Sequence, residues 1–193
     1  MTRKLKPGLA ILVILMLCGI RAEAGGGTFQ RIFTAKTAEG EVWVSADLAL
    51  QRRTDAFVPL VVAVYNSAKT SAVIERSSLK LIGTDGVPIR MAGIPELRKS
   101  YSKQNFDVTM LRLYGMPFGT WLRLQRLVPS NFFPIVSVDR GGVRIERVEL
   151  APFFWTIDLV YFKRPVGLAE GRTVILEVAP KGWQTPIQVK LHL

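Results

Sequence analysis

Residues 152–162 read PFFWTIDLVYF, a run in which only Thr156 and Asp158 are neither proline, aliphatic nor aromatic. So much apolar surface must leave water, either into a bilayer or into a packed interior. The run is too short for a membrane helix, which needs roughly 20 apolar residues, and Asp158 interrupts it. As a strand it puts Phe153, Trp155, Ile157, Leu159 and Tyr161 on one face, with no polar group but the tyrosine hydroxyl. At roughly 1.5–3 kcal/mol for each large side chain withdrawn from water, that is a core face, and the strand is a central one. The opposite face holds Phe154, Thr156, Asp158, Val160 and Phe162. Phe154 and Phe162 there suit either cover by loops or a contact surface. Asp158 reads as structural, paired with a buried arginine or placed where that face meets water.

The same period of two recurs along the chain, while helical periodicity is scarce. In EVWVSADLAL, Val42, Val44, Ala46, Leu48 and Leu50 share a side, and FVPLVVAVY is apolar enough to be buried on both faces. SSLKLIG runs into a turn at Thr84, Asp85 and Gly86, and VPIRM follows as the return strand. After RGG at 140–142, VRIERVEL carries Val143, Ile145, Val148 and Leu150 with a phase slip that a bulge near Arg147 would absorb. RTVILEVAP follows PFFWTIDLVYF, and IQVKLHL alternates through Ile187, Val189, Leu191 and Leu193. About eight or nine strands at this spacing predict an antiparallel sandwich.

Residues 57–91, with Asn66 closing a hydrophobic strand, then Leu79 and Leu81, then Asp85 and Gly86, resemble a pattern of exported bacterial immunoglobulin-like domains. The resemblance covers about a fifth of the chain beyond its first 24 residues. It implies a mainly β, immunoglobulin-like antiparallel β-sandwich that serves in binding or assembly, and it carries over no catalytic residue. A short helix and long loop inserted around 94–128 depart from a minimal domain of that kind.

The N-terminus predicts export. Arg3, Lys4 and Lys6 precede the apolar run GLAILVILMLCGI of about 13 residues, and RAEAGGG follows. Ala22 and Ala24 form the small-x-small pattern that signal peptidase accepts, so residues 1–24 read as a signal peptide and 25–193 as one sandwich domain. Retention of the run as a signal anchor and lipidation of Cys18 are the alternatives, the latter disfavoured by Leu17 before it. Residues 1–24 hold four of the 26 basic and one of the 15 acidic side chains, so the remainder bears 22 against 14, a net +8, and no cysteine. Neither disulfide nor thiol chemistry is therefore open to it. Its charge favours an acidic protein or an anionic lipid or glycan surface over nucleic acid, which an exported protein rarely meets. The expected location is periplasmic or secreted, with outer-membrane association as the alternative.

The interval 94–128 breaks the strand pattern. Ile94, Leu97, Tyr101, Val108 and Leu111 approximate a helical stripe, and Pro95 with Glu96 in the first turn predict a helix over 95–103. GMPFGTW beyond it reads as loop. Between Arg98 and Arg126 lie the basic residues Arg98, Lys99, Lys103, Arg112, Arg123 and Arg126, against Asp107 alone. Tyr101, Phe106, Tyr114, Phe118 and Trp121 are interspersed among them. Arg98, Lys99, Tyr101, Lys103, Arg112, Tyr114, Phe118, Trp121, Arg123 and Arg126 form the candidate binding surface. The plainer assignment is an insertion that covers one open end of the sandwich.

Catalytic patterns are missing from the sequence. His192 is the chain's one histidine and alternates outward beside Leu191 and Leu193, so a histidine-rich metal site cannot be assembled and nothing convincingly supplies a serine with its base. Glu146 and Glu149, three apart, point to opposite faces of a regular strand, and Asp139 and Asp158 would meet only through a tertiary contact. Neither RGG nor GGG is followed by the lysine and helix start of a phosphate loop. The expectation is a binding module without cofactor, metal or enzymatic activity. A small outer-membrane β-barrel and a glycan-acting enzyme are the alternatives.

Overall fold

A computed structural model describes residues 31–114, 118, 126–132, 136–137, 140–141, 145–165, 167–168 and 171–193, with side chains of 112–114, 136–137 and 140–141 excepted. The chain is mainly β. It opens with β1 (Ile32–Lys36), β2 (Gly40–Ser45), a short helix α1 (Asp47–Gln51) and the long strand β3 (Phe57–Asn66). Next come β4 (Ala72–Glu75), β5 (Leu79–Ile82) and β6 (Pro88–Arg90), then the helices α2 (Ile94–Ser100) and α3 (Gln104–Tyr114). Four short strands follow: β7 (Arg126–Leu127), β8 (Val136–Ser137), β9 (Arg140–Gly141) and β10 (Arg147–Leu150). The long β11 (Phe154–Lys163), β12 (Thr173–Val178) and β13 (Ile187–His192) complete the described strands.

One sheet has the order β1-β2-β3-β11-β7 and a second has the order β13-β12-β5-β6; β10-β4 and β8-β9 are two-stranded ribbons. Val42, Val44, Val58, Leu60, Val62, Val64, Val160 and Phe162 of the first sheet share one buried core with Leu79, Leu81, Val174, Leu176, Ile187, Val189 and Leu191 of the second. This is a sandwich. The two sheets are joined at one point, where Met91, the residue after β6, bridges Phe162 of β11.

β3 and β11 pair along nine positions, from Trp155 opposite Tyr65 to Lys163 opposite Phe57. Pro59 is tolerated inside β3 for a geometric reason. The carbonyl of its partner Tyr161 accepts from Ala92, away from β3, so Pro59's nitrogen points toward the β2 side. β2 pairs only as far as Val61, so no ladder bond is lost there. The far edge of β11 is covered in turn. Val128 donates to the Trp155 carbonyl at 2.7 Å, Ser130 to Ile157 at 2.9 Å and Ala92 to Tyr161 at 2.8 Å. An edge so occupied offers little template to another chain.

Several sequence expectations need correction. β2 ends at Ser45, and Leu48 is buried as a residue of α1. The reason is Asp47: its carboxylate accepts from the Ser45 hydroxyl at 3.0 Å and from the Arg31 amide, starting a helical turn instead of more strand. The phase slip in VRIERVEL is a change of partner and not a bulge, since Ile145 bridges Asn131 whereas Arg147–Leu150 pairs with β4. Val143 lies outside the described residues. In PFFWTIDLVYF the strand starts at Phe154, and Phe153 leaves the core face for a left-handed turn at φ 66°, 58% exposed. Both faces of β11 are otherwise largely enclosed: Tyr161 and Phe162, neighbours on opposite faces, are both wholly buried. The Asp85-Gly86 hairpin forms as expected, with Gly86 at φ 75° and the Asp85 side chain accepting from Val87 at 3.0 Å.

Candidate functional site

The inserted helices explain why β11 is covered twice. Phe57 and Tyr161 are on one face of the first sheet, and Tyr101 packs on both, with ring centroids 5.8 and 5.4 Å apart. On the same face Phe118 meets Trp43 edge-on at 5.9 Å. The insertion is therefore a third layer over that sheet, whereas the sequence placed it at an open end. It is also two helices and not one through 95–103. α2 starts at Ile94 with Pro95 in its first turn, where a missing amide is harmless, and stops as Tyr101 turns extended. α3 then buries Asp107 and Leu111, one turn apart.

Asp107 is the centre of the attachment. Its carboxylate is wholly buried and accepts from the Tyr101 hydroxyl at 2.5 Å, from Arg52 Nε and Nη2 at 3.0 and 2.9 Å, and from the Tyr161 hydroxyl at 3.3 Å. Three separate parts of the chain converge on one acid: the segment after α1, the insertion and β11. Burial pushes the Asp107 carboxyl above its ordinary range, against the opposing pull of Tyr101, Arg52 and Tyr161. Burial, with Asp107 beside them, likewise raises both tyrosine hydroxyls, so they remain donors. Around this core Lys103 pairs with Asp55 at 2.7 Å, Arg164 donates to the carbonyls of Asp55 and Arg52, and Arg52 stacks on Phe106 at 5.0 Å. Such a saturated carboxylate holds parts together and leaves no open acceptor for a substrate.

The candidate surface divides accordingly. Arg98 and Lys99 are exposed on α2 and form no ion pair among the described residues. Lys103 is exposed but held by Asp55. Tyr101 and Phe118, given to the contact surface from sequence, are 6% exposed each and belong to the core. Arg112 and Tyr114 are on α3 with side chains outside the described set, and Trp121 and Arg123 lie outside the described residues, as do Ala22 and Ala24. Arg126 is exposed, 5.5 Å over the Phe154 ring. Beside Arg98 a cleft of about 280 Å³ opens between the two helices, lined also by Tyr101, Ser102, Gln104 and Asn105.

The acids considered for catalysis are engaged elsewhere. Asp158 accepts from the backbone of Phe132 at 2.7 Å and of Leu159 at 2.8 Å, and burial lifts its carboxyl to about 6 against those bonds and the nearby Arg76 charge. Arg76 pairs with Glu146 and donates to the carbonyls of Ala92 and Phe132. Glu149 is exposed on β10 and Asp139 lies outside the described residues. His192 is exposed, with Nδ1 3.0 Å from the Thr173 hydroxyl. Among the described residues no cluster of His, Cys, Asp and Glu could hold a metal, and no helix is long and apolar enough to cross a membrane.

Sequence reasoning missed the role of Asp107, although being the lone acid in a basic, aromatic segment was its signal. No protein-family model matches the chain, and neither a curated protein nor a solved structure matches it.

Proposed function

We propose that the protein is an exported, non-enzymatic binding and assembly module of the bacterial cell envelope. It docks an anionic envelope component or an acidic partner protein through a basic surface centred on Arg98 and Lys99. The observation that carries the reading is the way α2 is mounted. Leu97 and Tyr101 fix one side in the core, while Arg98 and Lys99 face water with no acid among the described residues to neutralise them. Cations on an anchored helix attract an opposite charge without the cost of ordering the backbone on binding. The net +8 predicted for residues 25–193, the leader read at 1–24 and the immunoglobulin-like pattern of 57–91 support the same reading.

The test is the double reversal Arg98→Glu with Lys99→Glu, examined for association with isolated envelope fractions. Weakened, salt-sensitive association with unchanged thermal stability is the expected result. Association equal to that of the wild type overturns the reading.

A further inference from the structure

A second surface lies at the start of β11, away from α2. Among the described residues five large hydrophobic side chains are exposed, and two of them, Leu127 at 48% and Phe153 at 58%, are at this one end. Register brings them close: Leu127 pairs with Trp155 and Arg126 with Phe154. Phe153 adopts φ 66°, a left-handed conformation that disfavours a large side chain. The turn holds it there, since its amide donates to the Asn66 carbonyl at 2.7 Å. A fold that keeps a phenylalanine both strained and in water gains nothing in stability from it, and such strain gathers at functional positions.

The surroundings specify a partner. Arg126 is exposed beside Leu127, and the exposed Lys69 sits on the turn that Asn66 organises through its bonds to Ala68 and Thr70. Tyr65, half-buried, stacks on Trp155 at 4.7 Å, and the buried Trp155 indole N–H has no hydrogen-bond partner among the described residues. Protruding Phe and Leu flanked by cations, with Trp and Tyr behind them, match the layered chemistry of a bilayer interface: acyl chain, glycerol and anionic phosphate.

We infer that Phe153 and Leu127 form a wedge that inserts into an anionic lipid surface, with Arg126 and Lys69 on its headgroups. The inference is independent of the surface on α2.

The test is co-sedimentation of the purified chain with phosphatidylcholine vesicles, with and without phosphatidylglycerol. Wild type is expected to bind the anionic vesicles only, and less as salt rises. Phe153→Gly and Leu127→Ser should each weaken binding roughly tenfold or more, the transfer value of one large apolar side chain. Phe153→Gly should also raise Tm, because glycine relaxes the left-handed turn; a merely structural Phe153 would lower it. Arg98→Glu with Lys99→Glu should keep vesicle binding, so the two surfaces fail separately. Wild type that binds neither vesicle, or both alike, overturns the wedge, as does a Phe153→Gly variant that binds like wild type.

Discussion

The Tyr101 hydroxyl donates to the buried carboxylate of Asp107 at 2.5 Å, across the break between α2 and α3. The bond ties the two helices to each other, and through Arg52 and Tyr161 the same carboxylate ties both to the sandwich. The basic residues of α2 inherit their fixed position from this interior acid.

Asp107→Ala should therefore cost about 3–5 kcal/mol in a denaturant titration, since it leaves the Arg52 guanidinium largely buried and faced only by Asp55 at 3.8 Å. Tyr101→Phe should cost about 1–2 kcal/mol, and Tyr161→Phe less, because its bond to Asp107 is 3.3 Å long. Equal losses for the two tyrosine variants would show that the carboxylate does not discriminate between them.

Asp158 should leave a signature in the pH dependence of stability. Its carboxyl is lifted from an ordinary 3.8 to about 6, chiefly by burial. Between those values the native state binds the proton and the unfolded chain does not, so stability falls as pH rises through this window and levels off above it. Burial lifts Asp107 in the same direction. The free-energy difference between wild type and Asp158→Asn, followed by chemical unfolding from pH 4 to 7, should shrink by about 1–3 kcal/mol over that span. A difference that is flat with pH contradicts the assignment.

Gly40 is required by close approach. A Cβ there would stand 2.2 Å from the Trp183 ring and 2.7 Å from the Tyr65 carbonyl oxygen. The Trp183 indole in turn donates to the wholly buried Asn66, which also bonds Thr70 and Leu150. Gly40→Ala should lower stability by about 2–3 kcal/mol through overpacking. Shortening Trp183 as well should restore only part of it, because the carbonyl cannot retreat. Full restoration in the double variant would place the whole conflict in the ring.

The strands were legible because their signal is local. Val42 and Val44, Leu79 and Leu81, and Ile187 through Leu191 alternate in sequence and are buried in the structure. Asp85 and Gly86 marked their hairpin through backbone preference alone. What escaped was set by distant partners. The phase slip near Glu146 marked an irregularity but not the change of neighbour behind it, and Asp47 ends β2 partly through Arg31. The fate of the aromatic segment was hidden for the same reason. Tyr101 and Phe118 look like contact residues beside Arg98 and Lys99, but their surroundings come from Phe57, Tyr161 and Trp43, which are distant in sequence. Exposed Arg98 and Lys99 were legible; the acid that positions them was counted only as the one charge opposing them.

The most direct measurement is the salt dependence of binding to isolated envelope fractions, taken with pure wild-type chain and with Arg98→Glu, Lys99→Glu. If held cations on α2 carry the interaction, log K falls steeply with log salt for the wild type and more gently for the variant, while both unfold at the same temperature. Identical slopes for the two proteins would contradict the account.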